Sequence, residues 1–320
     1  MPSLYSAEVM ASITWEVIAA PPSGRHVHGM KEITLPQGTI RYRDEGKGPV
    51  LLFVHGLLVA GDIWQGAIAE LSTKYRCIAP DWPLGSHSVP MNADADLTPD
   101  GIARMVASFM KALDLRDVTI VANDSGGACT QLLLARHDQD GRITRAVLTP
   151  CDAFEVFPPK LFWYLGLVVA IPGGVALLTK MLHALPILGR LPIAYGLTKK
   201  PLPIARIRNW IEPAAKSAGV RRDLVKFIRG IHPRVTLEVA KELPRVTIPV
   251  LLAWAPEEKW FPLSLAERLA DVLPNAEIVH IEDSLVFAMV DQPRALAEKI
   301  RDFLRRTDRQ RDDIRIRESA

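Results

Sequence analysis

The sequence predicts an α/β protein, a mostly parallel central sheet flanked by helices, with a helical cap inserted late in the sheet. Three observations carry this. Short apolar runs (Val50–Val54, Cys77–Ala79, Val118–Ala122, Ala146–Leu148, Val250–Trp254) alternate with helical segments, as strands buried on both faces of a parallel sheet do. The run ending at Ala122 passes through Asn123-Asp124-Ser125 into Gly126-Gly127-Ala128, so a strand turns sharply into a helix where the two backbones nearly touch. From Ala153 to Val246 the alternation stops, and Pro, Leu and aromatic residues dominate.

Taken in order, residues 1–29 read as an N-terminal extension, with a short helix over Ala7–Ala19 broken by Pro21-Pro22-Ser23-Gly24. The core's first part spans 30–152. Ile33–Leu35 and Ile40–Tyr42 flank Pro36-Gln37-Gly38, a hairpin signal. Val50–Val54 ends in His55-Gly56-Leu57-Leu58; a helix over Ile63–Ser72 leads to the strand at Cys77, which ends at Asp81. After a loop from Trp82 to Leu97, Thr98-Pro99-Asp100 supplies a cap, a proline at the first helical position and an acid in the first turn, so a helix is predicted to about Leu113. The strand at Ala146 ends near Cys151-Asp152.

Within the insert, residues 153–246, the stretch Leu161–Thr179 carries no charge and is long enough to cross a membrane. Pro172-Gly173-Gly174 cuts it into two short pieces, so the expectation is a lid of short helices over an apolar pocket, with membrane-surface contact as the minor alternative and no transmembrane segment. The core resumes over 247–305, with a strand at Val250–Trp254, a helix at Leu263–Val272, a strand at Ala276–Ile281 and a helix at Pro293–Leu304. Residues 306–320 form a charged tail alternating Arg with Asp, read as a solvated or frayed helix end.

The 320 residues, 48% hydrophobic and 23% charged, are enough for a large core plus an inserted domain. Net charge is +3, from 39 basic and 36 acidic residues, which gives no argument for nucleic acid. Cys77, Cys129 and Cys151 form no disulfide framework or metal spacing, and no cofactor or metal is expected. Two of them sit in predicted buried strands, pointing to a reduced, cytoplasmic setting. The N-terminal apolar run has no basic region before it and is interrupted by Glu16, unlike a secretory signal. The expected partner is a small apolar substrate or ligand; monomer and homodimer both stay open.

The apex of the sharp turn suits a nucleophile, because backbone N–H groups at the helix start can stabilise developing negative charge. With Asp124 at the apex, small Ala122 and Gly126 flank it. With Ser125 there, the flanks are Asn123 and Gly127, and Asn123 is bulky for the place. Asp124 is favoured; the plainer reading is an aspartate that only caps the helix.

These features together resemble the α/β-hydrolase fold over roughly residues 30–305. The marks are His55-Gly56 after the third strand, Asp81 with Pro83 and Gly85 after the fourth, the turn at Asp124, Trp254-Ala255-Pro256-Glu257-Glu258, and Asp283-Ser284-Leu285-Val286-Phe287 with Asp291-Gln292-Pro293. An aspartate at the turn is similar to the haloalkane dehalogenase and epoxide hydrolase branch. The resemblance implies Asp124 as nucleophile, Glu258 as the acid with Asp152 as the alternative acid, and the backbone N–H groups of Leu57 and Ser125 as the oxyanion hole. It also implies a histidine where this chain has Val286. His183 or His232 of the cap would then have to stand in as base, or water held by Glu258 and Asp152. Ser125 and Leu57 stand where the branch usually carries Trp and Asn or Trp for a halide. Tyr164 and Tyr195 match the cap tyrosines that protonate epoxides, and Trp64 is a candidate pocket wall. The implied activity is hydrolysis of an epoxide, haloalkane or ester. The alternative is a hydrolase scaffold without turnover that binds a hydrophobic small molecule.

Overall fold

The computed structural model describes residues 29–318; the expected helix at Ala7–Ala19 and its break lie outside the described residues. The strands are β1 (Lys31–Leu35), β2 (Gly38–Glu45), β3 (Val50–Val54), β4 (Arg76–Pro80), β5 (Val118–Asp124), β6 (Ile143–Cys151), β7 (Val250–Trp254) and β8 (Ala276–His280). They form one eight-stranded sheet in the order β1-β2-β4-β3-β5-β6-β7-β8. Only the β1–β2 and β2–β4 pairs are antiparallel; β3 through β8 run parallel. The predicted strands are all present. β6 outgrows its apolar run because β5 pairs with it from Ile143 to Cys151, past the residues that also meet β7.

The helices are α1 (Gln65–Leu71), α2 (Pro99–Ala112), α3 (Ser125–Leu132), then α4 (Tyr164–Ala170), α5 (Gly174–Ala184), α6 (Ile204–Lys216), α7 (Ala218–Gly230) and α8 (Pro233–Ala240) in the insert, and α9 (Leu263–Val272), α10 (Ala288–Asp291) and α11 (Pro293–Glu318). α2 starts as its sequence signals: the Thr98 hydroxyl accepts from Gly101 N–H at 3.1 Å, ahead of Pro99. Its buried Phe109 lies edge-on to Tyr42 and Trp82, with ring centroids 5.2 and 5.3 Å away. α11 runs well past Leu304, where the prediction ended it. Arg145 on β6 reaches Thr307 and Asp308, and Arg306 pairs with Glu277, so partners from the sheet hold a turn that read as solvated. All three cysteines are free and buried.

The cap helices α4–α8 enter between β6 and β7, and polar side chains pin them to the core. Trp210 Nε1 donates to Asp62 at 2.6 Å, and the Tyr195 hydroxyl donates to Leu58 O at 2.8 Å. Asp223 on α7 is wholly buried and accepts from Met91 N–H at 2.8 Å, Arg222 at 2.7 Å and His87 Nε2 at 3.2 Å. His87, in the loop after β4, is itself buried, because α7 covers that loop. Burial opposes ionisation of Asp223, but the bonds from His87, Met91 and Arg222 outweigh it and hold the carboxyl below its usual range. Its stabilisation is thus present at neutral pH and fades as pH falls through the folded pKa. Asp223→Ala is expected to cost about 3 kcal/mol, read as a lower urea midpoint, because it strips a buried charge centre of its partners. A loss under about 1 kcal/mol would mean that other contacts hold the cap on this loop.

Candidate active site

β5 delivers Asp124 at its carboxyl end with φ 52° and ψ −135°, a backbone state that side-chain-bearing residues seldom hold, and α3 starts at the next residue. The close approach behind it admits only glycine. A Cβ on Gly126 would lie 2.5 Å from His55 O, and one on Gly127 would lie 2.3 Å from the Cys151 Cβ. Asp124 is therefore the apex, flanked by Ala122 and Gly126, and Ser125 opens the helix. Gly56 serves the site from the other side, since a Cβ there would fall 2.0 Å from Asp124 Oδ2. With that room, Leu57 N–H donates to Oδ2 at 3.2 Å, and Ser125 N–H also supports the carboxylate. The two backbone N–H groups expected from the sequence thus converge on the same side chain.

A cavity opens above Asp124. It is walled by Leu57, Leu58, Asp124, Ser125 and Asp152 on the sheet side, and by Phe162, Tyr164, Leu165, Leu178, Leu182 and Tyr195 from the cap; Trp260, Phe261 and Val286 close it. Its volume is about 70 Å³, several times the ~10–15 Å³ that one water needs.

Two carboxyls face this space in unequal surroundings. Burial pushes Asp124 up to about 6, while the N–H groups of Leu57 and Ser125 pull it down and the Glu258 charge adds a further upward push. Asp152, at the end of β6, is driven well above its usual range by burial and by the charge of Asp124. The Ser125 hydroxyl relieves it only partly, and its Oδ1 has no partner. The pair titrates together; the first proton settles on Asp152, because Asp124 has two backbone donors and Asp152 has none.

Glu258, after β7, lies behind the wall. It takes the N–H groups of Trp260, Lys259, Phe261 and Val286, although burial still keeps its carboxyl above the usual range. Val286 is wholly buried; its carbonyl accepts from Asn123 Nδ2 at 2.8 Å. Asn123 also donates to Thr149 Oγ1 and Pro150 O, both at 2.9 Å, and so joins β5, β6 and the loop of Val286. This role was missed when Asn123 was weighed only as a bulky flank. The available signal was an amide on a strand buried on both faces, where every polar group needs a partner.

Among the described residues no histidine lines the cavity. His55 is neutral and locked: Nδ1 donates to Gly56 O at 2.9 Å, Nε2 accepts from Trp82 N–H at 2.8 Å, and burial pulls its pKa down to about 4. His232 caps α8 by accepting from Arg234 N–H, and His183 sits on α5 outside the cavity wall. Neither cap histidine is therefore at hand for Asp124. Tyr164 and Tyr195 do line the cavity, but their hydroxyls donate to Ile193 O at 2.6 Å and Leu58 O at 2.8 Å. Trp64 is not a wall of the cavity: it is wholly buried in the core against Phe53, with centroids 5.2 Å apart, because the turn Gly61–Trp64 directs it onto β3. Trp260, two residues after Glu258, takes the aromatic wall position.

Residues 49–168 match the family described as the alpha/beta hydrolase fold. A non-heme chloroperoxidase of Kitasatospora aureofaciens is 27% identical over 249 residues, 77% of this chain and 87% of that protein. Haloalkane dehalogenase 2 of Mycobacterium tuberculosis is 25% identical over 269 residues, 82% of this chain and 91% of that one. Among solved structures, an epoxide hydrolase superposes with a TM-score of 0.72 at 17% identity, covering 87% of this chain and 99% of that one. The chain has the α/β-hydrolase fold, with helices α4–α8 inserted between β6 and β7.

Proposed function

We propose that the chain is a hydrolase of small or medium apolar substrates in which Asp124 is the nucleophile and Asp152, rather than a histidine, moves the protons. The observation that carries this is the pair of carboxyls lining one apolar cavity, both raised by burial, with Asp152 holding its proton more tightly than Asp124. Among the candidate substrates an epoxide fits best. Leu57 and Ser125 offer a departing halide no side-chain N–H, whereas Asp152, which holds a proton, gives an epoxide oxygen the acid that the two cap tyrosines, with hydroxyls committed to carbonyls, do not. Ionised Asp124 attacks an epoxide carbon, the C–O bond breaks, and the alkoxide takes the Asp152 proton. Asp152, now ionised, draws a proton from water as the oxygen adds to the ester carbon of Asp124. The N–H groups of Leu57 and Ser125 hold the oxyanion, and Asp152 returns the proton to the leaving alkoxide, giving a diol; the proton left on the regenerated Asp124 carboxyl then passes to Asp152 and restores the starting pair. Glu258 is a positioning residue that fixes the Val286 loop.

The test is intact-protein mass and product analysis with a panel of small epoxides, haloalkanes and p-nitrophenyl esters, on wild type and Asp152→Asn. Diol or a hydroxyalkyl adduct is expected from wild type, and at least a hundred-fold slower reaction from Asp152→Asn. The adduct-forming rate should climb as pH passes about 6, where Asp124 ionises, and fall only well above that, where Asp152 loses its proton. The second reading, a scaffold that binds a hydrophobic ligand without turnover, draws on Val286, which cannot accept a proton. Reversible occupancy with no adduct and no product for any of the panel would decide for it.

A further inference from the structure

The large hydrophobic side chains left in water are gathered in one part of the cap. Of those that remain exposed among the described residues, all but Leu237 lie between Trp163 and Ile193. Trp163 is 69% exposed and Leu177 71%, with Leu167, Ile171, Leu185 and Ile187 about half exposed beside them. α4 and α5 meet at 118° across the Pro172-Gly173 break, so their outer faces make an apolar ridge. Their inner faces, through Leu165, Leu178 and Leu182, wall the cavity. A patch of this kind on a folded protein marks a contact surface.

Charge decides what it contacts. Between Glu155 and Glu212 the chain has no acid and seven Lys or Arg residues. Lys199 and Arg206 reach acids of the core, Glu257 and Asp62. Lys160, Lys180, Arg190, Lys200 and Arg208 are exposed. We propose that this face docks on a lipid bilayer carrying anionic headgroups, with α4 and α5 lying in the interface. At about 1.5 Å per residue they reach only about 10 and 16 Å, against ~30 Å for a hydrocarbon core, so they rest on the bilayer and do not cross it. A second copy suits the face poorly, because a symmetric pair would bring two basic, acid-free surfaces together. Docking here sets the cavity wall against the bilayer, which favours substrates that partition into lipid. The surface itself does not depend on the chemistry of Asp124.

The experiment is co-sedimentation of the full chain with vesicles of phosphatidylcholine alone and of phosphatidylcholine with phosphatidylglycerol, at low and high salt. Light scattering of the free protein runs alongside. Binding is expected to be at least about ten-fold stronger on the anionic vesicles and to weaken with salt. Lys160→Ala with Lys180→Ala should lower it by about 25-fold, near five-fold per charge. Trp163→Ser with Leu177→Ser should abolish it while leaving the thermal transition unchanged, since both side chains are already in water. No partition onto either vesicle, or partition indifferent to headgroup charge and to both double variants, overturns the proposal. A dimer in solution that Trp163→Ser with Leu177→Ser dissolves, without vesicle binding by wild type, would make the face a self-association surface instead.

Discussion

Asp124→Asn is expected to abolish the covalent step and to make the protein more stable. An amide does not attack carbon, so adduct formation should fall by about 10⁴-fold or more. Stability should move the other way. The folded state holds the Asp124 proton more tightly than the unfolded chain, with a pKa raised from 3.8 to about 6. Ionising it therefore costs nothing below the unfolded value, a growing amount between the two, and on the order of 3 kcal/mol above the folded value. Asparagine keeps the shape and removes the charge. Calorimetry at pH 8 and pH 4 should show the variant stabilised at the higher pH and little changed at the lower. A variant that is less stable at both would mean that the carboxylate's bonds from the Leu57 and Ser125 N–H groups outweigh the cost of burying it, although its side chain does not cap α3.

Val286→His is expected to accelerate turnover. Its backbone is held on both sides, the N–H by Glu258 and the carbonyl by Asn123, and its side chain faces the cavity that Asp124 and Asp152 share. An imidazole there starts from a fixed Cα, with a carboxylate near enough to orient it and open space in front. A positioned base contributes about 10²–10⁴-fold, so steady-state turnover of whichever substrate forms an adduct should rise by at least a hundred-fold, with the adduct no longer accumulating. Unchanged breakdown of the adduct would show that Asp152 already carries the base role without loss.

The sheet and the turn at Asp124 were legible because their causes are local. A strand covered on both faces must be an unbroken apolar run, and a strand that meets a helix at van der Waals distance must use glycine; both are written in consecutive residues. The cap helices were harder. Helical periodicity is read from polar residues on the outer face, and in α4 and α5 the outer face is apolar too, so no period shows between Leu161 and Thr179. The contrast between Asp124 and Asp152 was invisible for another reason. The positions can be named from the strand ends, but which carboxyl holds the proton depends on donors brought from β3 and α3. The same holds for His87 with Asp223, residues far apart in the chain, and for Trp64, whose neighbours rather than its type decide that it packs in the core.

The buried cysteines have a practical consequence. Epoxides and haloalkanes are ordinary alkylators of thiolates, and in most proteins a mass increase on exposure to them would be credited to cysteine. Here burial pushes the Cys77 thiol up to about 12 and raises the thiols of Cys129 and Cys151 well above their usual range, and all three are buried. The folded protein is therefore a quiet background for these reagents at neutral pH. A single added mass that Asp124→Asn lacks can then be assigned to the cavity without a cysteine control, and the appearance of cysteine adducts on warming would time the opening of the fold around β4, α3 and β6.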